Sequence, residues 1–298
     1  YGFYKYYYRA SKILNIFNIR IAMNTTIIIP THNEAESIEI TIKKLTMVFT
    51  TIPDFNMSIL VFDSQSSDNT VNKVKALQQQ QPNIHLVTEN QKSGLGSAYI
   101  QGMTYAIQVL HAHLIFEFDA DGSHQPKHIP QMLNMITAGN DVVVGSRYVK
   151  GGSICVNWPW YRRWLSRGGN WIARLLLTSR YKDFTSGFRV TKVSFLKKIN
   201  LNGLLSKQYA YKIHLFWELH KVGANIAEYP IAFIDRTKGK SKLPKNNAIE
   251  SLYLVIRLRC RELKGYIKMC CCGLVGAAVQ ITIFNLLLRF TSTTTANI

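Results

Sequence analysis

The chain has 298 residues, with 36 Lys and Arg against 17 Asp and Glu, and a formal charge of +19. That length accommodates one large α/β domain with something smaller beside it, and that charge calls for an anionic partner: lipid headgroups, a phosphorylated substrate or nucleic acid. The five cysteines, Cys155, Cys260, Cys270, Cys271 and Cys272, have neither zinc-site spacing with histidines nor a secreted disulfide pattern, which argues for a reducing compartment.

From Thr25 onward, short β-branched runs alternate with longer stretches of helical periodicity. Thr25 to Ile29, Ser58 to Phe62, Ile84 to Thr88, Leu114 to Phe118 and Asp141 to Val144 are predicted strands. Glu36 to Phe49, Asn69 to Gln80, Gly96 to Val109 and Pro126 to Thr137 are predicted helices. Repeated βα units of this kind build an α/β domain around a mostly parallel sheet flanked by helices, here assigned to residues 23–244. Residues 1–22, which start at Tyr1 and hold five tyrosines in the first eight positions, are set apart as an N-terminal extension. Ligands of such sheets bind beyond the carboxyl ends of the strands, so the polar residues that follow each strand matter most.

Beyond Gly151 the sequence turns aromatic and basic, with Trp158, Trp160, Arg162, Arg163, Trp164, Arg167, Trp171 and Arg174. Rings beside arginines suit the boundary between headgroups and acyl chains, and suit equally an ordinary amphipathic surface helix. Residues 245–268 read as a basic amphipathic helix on an anionic membrane surface. Ile249, Leu252, Tyr253, Ile256, Cys260, Leu263 and Ile267 make its apolar stripe, and Arg257, Arg261, Lys264 and Lys268 run beside it. Met269 to Leu288 is a run of 20 residues without a charge, about the length needed to cross a hydrocarbon core. Gly273, Gly276, Ala277 and Ala278 within it suit packing against a partner helix. Residues 269–298 are therefore predicted to be a transmembrane segment, the start of a small membrane domain. Five positive residues from Arg257 to Lys268, against Glu262 alone, place the preceding domain on the cytoplasmic face.

The strongest chemical signal is Phe118-Asp119-Ala120-Asp121-Gly122-Ser123-His124, two carboxylates one residue apart just after an apolar strand. Hard oxygens so placed suit Mg2+ or Mn2+, an ion that neutralises a departing diphosphate. A lone Asp-x-Asp also occurs in plain turns. Pro30-Thr31-His32-Asn33-Glu34 closes the first strand and Asp63-Ser64-Gln65-Ser66-Ser67-Asp68 the second. Two polar loops at one sheet edge, with paired acids at a third, describe a nucleotide pocket; Asp68 taken alone reads as a cap for the helix after it.

Further motifs follow in order: Gly94-Leu95-Gly96, Gly145-Ser146-Arg147-Tyr148-Val149-Lys150-Gly151-Gly152, Asn157-Trp158-Pro159-Trp160-Tyr161-Arg162-Arg163, Thr185-Ser186-Gly187-Phe188-Arg189 and Gly239-Lys240-Ser241-Lys242-Leu243. Together they resemble the dolichol-phosphate (polyprenyl-phosphate) mannose synthases, inverting family 2 glycosyltransferases, over about residues 24–290. The resemblance implies a nucleotide-binding GT-A fold, followed by the interfacial and transmembrane helices. It also implies transfer of mannose from GDP-mannose to dolichyl or polyprenyl phosphate. In that pattern Pro30, His32, Glu34, Asp63, Ser64 and Asp119 bind the donor, and Arg236 or Lys238 closes on its diphosphate. Asp119, Asp121 and Ser123 hold the metal; Arg147, Arg162 and Ser166 meet the acceptor phosphate; Asp121, Arg147 and Arg162 carry the catalysis. The chain departs from the family at Ser64, where a second acid is usual, at His32 for Tyr, at Ser123 for a glutamine of some members and at His214 for a frequent Glu.

Elementary chemistry supports such a transfer independently. A phosphate monoester has a second pKa near ~6, so its attacking oxygen needs no general base at neutral pH. It needs cations, and the forked donors of Arg147 and Arg162 supply them. In-line attack on the anomeric carbon then inverts its configuration. UDP-glucose or another nucleotide sugar would fit the same residues. A processive synthase is disfavoured, because Trp160 stands where a Gln-x-x-Arg-Trp motif needs Gln. A non-enzymatic binder of nucleic acid leaves the ordered acidic motifs unexplained. The expected partners are a nucleotide sugar, a polyprenyl phosphate and the lipid bilayer, with no nucleic acid.

Overall fold

The computed structural model describes residues 22–155, 158–235 and 246–295, with side chains as far as Leu288. Among the described residues, seven strands form one sheet: β1 (Met23–Thr31), β2 (Phe55–Ser64), β3 (Ile84–Glu89), β4 (Leu114–Glu117), β5 (Val142–Ser146), β6 (Arg189–Lys192) and β7 (Ile226–Pro230). Their order is β3-β2-β1-β4-β6-β5-β7. All neighbours pair in parallel except β6, which runs antiparallel to both β4 and β5. The helices are α1 (Ile38–Phe49), α2 (Thr70–Gln80), α3 (Leu95–Gln108), α4 (Ile129–Thr137), α5 (Trp160–Leu176), α6 (Val193–Leu196), α7 (Tyr211–Lys221) and α8 (Asn247–Thr295). The five predicted strands and four predicted helices all form.

Continuous apolar runs mark strands covered on both faces. In β1, Ile27, Ile28 and Ile29 are wholly buried. Ile28 packs on one side of the sheet with Tyr99, Met103 and Phe216, while Ile27 and Ile29 pack on the other with Ile38, Ile42 and Leu133. β6 and β7 were not among the predicted strands. β6 is held by charge: Arg189 lies opposite Glu117 of β4 in the register, with Nε and Nη2 each 2.5 Å from Glu117 Oε2. The Tyr211 hydroxyl donates to the other oxygen of Glu117. Charges this deeply buried persist only when paired and hydrogen-bonded.

α8 has two opposed faces. Leu254, Val255 and Leu258 are buried where it packs on α5 and α7, and Lys221 clamps Glu262 at 2.9 Å. The stripe named from the sequence lies roughly opposite on the helical wheel, at ~100° per residue. Its Ile249, Leu252, Tyr253, Ile256 and Ile267 are exposed. α5 likewise exposes Trp160, Trp164, Leu165, Trp171 and Leu175. Trp158, grouped with these from the sequence, is buried instead, edge-on to Phe233 with ring centroids 5.4 Å apart. α8 is long and apolar enough to be a candidate membrane span, its apolar stretch is wholly exposed, and it runs unbroken through the predicted boundary at residues 268 and 269.

Candidate active site

The loops after β1 and β2 are built as one unit. Asn33 and Gln65 take left-handed backbone conformations (φ 55° and 56°), and the Asn33 amide oxygen accepts from Ser67 N at 2.8 Å. Asp68 accepts from Ala35 N at 3.1 Å and from Thr70 N at 3.0 Å, so it ties the two loops as well as supporting the start of α2. Asp63 is buried, and its carboxylate takes hydrogen bonds from Thr31 Oγ1 at 2.8 Å, Ser66 N at 2.9 Å and Ser66 Oγ at 2.6 Å. It shapes the loop and does not line the cleft. His32 Nδ1 lies 2.7 Å from the Ser64 carbonyl.

A cleft of about 1110 Å³ opens over this edge, lined by Pro30, His32, Glu34, Ser64, Asp119, Asp121, Ser123, Arg147, Arg162 and Ser166. It therefore gathers every predicted site residue among those described except Asp63; Arg236 and Lys238 lie outside the described residues. Asp119 follows β4 and is ringed by donors. Tyr99 of α3 donates to its Oδ1 at 2.9 Å, while Lys212 Nζ and His124 Nε2 stand 3.5 and 3.6 Å from its Oδ2. Burial alone would raise the Asp119 pKa, but Lys212, then His124 and Tyr99, bring it down to about 2. Burial lowers the pKa of His124, which fits a neutral ring whose Nδ1 accepts the Asp119 N–H at 2.9 Å. Asp121 accepts from Ser123 N at 3.1 Å.

The two arginines differ in state. Arg147 is buried, with Nε and Nη2 each 2.7 Å from the two oxygens of Asp183 and Nη2 also 2.6 Å from Thr185 Oγ1. Its fork is engaged by the protein, which changes the sequence picture of an arginine presenting that fork to a ligand. Burial disfavours its charge, but Asp183 outweighs burial and holds the pKa above the ordinary arginine value. Arg162 is half-exposed, stacked 4.0 Å over the Trp158 ring and 3.8 Å from Asp235. Ser166 Oγ bonds the Tyr148 hydroxyl at 2.7 Å.

Two further residues escaped the sequence analysis. Lys212, 1% exposed, projects from α7 toward Asp119. Burial opposes its charge, yet Asp119 raises its pKa above the usual lysine value. Gly187 makes room for it, since a Cβ there would lie 1.9 Å from Nζ. The available signal was a lysine on an apolar helix face, with buried Leu215, Phe216 and Leu219 three, four and seven residues on. Asp183, the partner of Arg147, gave no comparable signal. His214 stays out of the cleft; its Nδ1 accepts from Leu205 N at 3.0 Å, and burial, then Arg261 and Lys221, lower its pKa to about 4.

A sheet whose parallel strands end in polar loops, with paired acids at the end of the central β4 and cations deeper in the cleft, defines a GT-A glycosyltransferase. A family model described as glycosyl transferase family 2 matches residues 26–200, and the chain belongs to that family. It is 35% identical over 255 residues to the polyprenol monophosphomannose synthase of Mycolicibacterium smegmatis, covering 84% of this chain and 94% of that one. It is 34% identical over 235 residues to the undecaprenyl-phosphate mannosyltransferase of Micrococcus luteus, covering 79% and 93%. The fold is shared with glucosyl-3-phosphoglycerate synthase from Mycobacterium tuberculosis, at a TM-score of 0.56, 17% identity and 80% coverage of each chain.

Proposed function

We propose that the enzyme transfers mannose from GDP-mannose to a polyprenyl or dolichyl phosphate, inverting the anomeric centre, at the cytoplasmic face of a membrane. One observation carries this most: a single cleft runs from Asp119 and Asp121 to Trp160, Trp164, Ile249 and Leu252. The last four belong to the exposed apolar faces of α5 and α8. A soluble nucleotide and a lipid acceptor would thus each find matching surface, acidic and polar for one and apolar for the other, in one space. The names of the two bacterial relatives support the same sugar and the same acceptor class.

The donor end suits Pro30, His32, Glu34 and Ser64, with Asp63 acting through the loop it braces. No group of three or more His, Cys, Asp or Glu able to cage an ion occurs among the described residues. Mg2+ or Mn2+ still fits, because such ions are commonly held by one or two carboxylates completed by substrate phosphates. Asp119 and Asp121, with Ser123 beside them, would hold it, and Lys212, His124 and Tyr99 favour the ionised form of Asp119. When bound, the ion neutralises charge on the departing diphosphate. Arg162 and Ser166 are suited to the acceptor phosphate, with Arg147 as the fixed positive wall behind them. The carboxylates among the described lining residues are Glu34, Asp119 and Asp121, all at the donor end. An acceptor that arrives already ionised needs no base at the other.

The test is to incubate membranes carrying the full chain with labelled GDP-mannose, UDP-glucose and polyprenyl phosphate, then identify the labelled lipid. A mannosyl-phospholipid formed from GDP-mannose is expected. Labelling from UDP-glucose alone would replace the donor, and no lipid product from either would reject the acceptor.

A further inference from the structure

Three basic side chains, Arg147, Arg189 and Lys212, are buried, and Arg147 and Lys212 line the cleft. Arg147 has Asp183 and Arg189 has Glu117. Lys212 has no such dedicated partner. Its one ion pair among the described residues is with Asp119, at 3.5 Å, the same carboxylate assigned above to a metal. The ammonium cannot easily turn elsewhere. The rings of Tyr209 and Tyr99 flank it, with centroids 4.8 and 5.9 Å away, and Gly187 lies against it with no room for a side chain.

We infer that Lys212 is a positioning residue that makes metal entry depend on the nucleotide, by holding a fixed positive charge against Asp119 Oδ2 that only the diphosphate offsets. This rests on the metal site proposed above. In the empty site a divalent ion at Asp119 would meet a fixed positive charge where water screens poorly. The diphosphate brings negative charge that offsets both cations, so each partner binds better in the presence of the other, by reciprocal linkage. One aspartate thus serves two cations, and the nucleotide decides when both are tolerated.

The experiment titrates Mn2+ into the full chain in detergent, with and without GDP, following free Mn2+ by electron paramagnetic resonance. Lys212→Met and Lys212→Gln should each tighten nucleotide-free Mn2+ binding by ~10-fold or more, within the roughly 5- to 150-fold range of coupled sites. The enhancement of Mn2+ binding by GDP should shrink by the same factor. Both variants keep the side-chain volume but remove a buried ammonium with its contact to Asp119, and should fold with melting temperatures within a few degrees of the wild type. Mn2+ alone should then raise their melting temperature, whereas the wild type should need GDP as well. Unchanged or weaker nucleotide-free binding in both variants would overturn the inference and leave Lys212 a packing residue. Absence of Mn2+ binding in the wild type even with GDP would instead remove the metal site on which the inference stands.

Discussion

Substituting Asp183 by Asn asks whether the protein itself, before any ligand, fixes the arginine behind the acceptor position. Asp183 is wholly buried and the Arg147 side chain is 6% exposed. The carboxylate accepts from Arg147 N, Nε and Nη2 and from Thr185 N, at 3.0, 2.7, 2.7 and 3.2 Å. Removing one member of such a pair leaves an uncompensated charge and costs about 3–5 kcal/mol. At about 2–4 °C per kcal/mol for a domain of this size, the melting temperature should fall by about 6–20 °C. The double variant Arg147→Met with Asp183→Leu should recover part of that loss, because no charge is left behind. The pH dependence has a definite sign. Burial opposes ionisation of Asp183, Arg147 outweighs burial, and the folded-state pKa lies below the ordinary carboxylate value. The pair's contribution is therefore complete above the unfolded pKa, near ~3.9, and is lost as pH falls through the lowered folded value. Thermal melts from pH 7 to pH 3 of wild type and both variants measure this. A single variant melting within about 2 °C of wild type, the shift expected for under 1 kcal/mol, would refute the argument.

The other predictions concern the two ends of the cleft and the helix that carries it. Asp121→Asn should keep the fold and lower transfer by at least ~100-fold, the scale of about 3 kcal/mol of transition-state electrostatics; near-normal turnover, or full wild-type activity in excess chelator, would remove the metal role. Arg162→Ala should leave GDP affinity by calorimetry unchanged and cut transfer by roughly 10- to 150-fold, as expected for a charge-assisted contact of about 1.5–3 kcal/mol. Arg162→Lys should recover only part of that, and loss of GDP binding in Arg162→Ala would move the residue to the donor side. A chain ending at Lys268 keeps the docked part of α8 and should leave membranes in high salt, whereas the full chain should need detergent; release of the full chain by salt alone would show that the uncharged run does not span.

The first half of the domain was legible because its strands are continuous apolar runs and its helices repeat at regular spacing. Thr25 to Ile29 and Leu114 to Phe118 announce buried strands without help from distant residues. β6 does not: it is four residues long, begins with Arg189 and ends with Lys192. It exists because Glu117, 72 residues earlier, supplies the opposite charge. The same limit applied within the site. Asp119, Asp121, His32 and Glu34 were visible because each stands directly after a strand, where local pattern and site location coincide. The engagement of Arg147 by Asp183 joins residues 36 apart, and the approach of Lys212 to Asp119 depends on how α7 is laid against the sheet. Asp63 shows another side of the same limit, since its hydrogen bonds with Thr31 and Ser66, which brace the loop, are invisible in the local pattern that marks it as a donor-side candidate.

α8 contains no proline, and its 49 residues form one helix, a rod of roughly 74 Å at ~1.5 Å per residue. Its first turns are bolted to α5 and α7, and its far end is the candidate span, so catalytic domain and span share a rotational phase as well as an axis. One residue inserted after Lys264 would leave both halves helical yet turn the distal half by ~100° against the cleft, whereas seven inserted residues would bring it nearly back into phase. The length of the segment between the docked turns and the candidate span is thus separable from its remainder after whole turns, and that remainder sets which face of the span lies in line with the cleft.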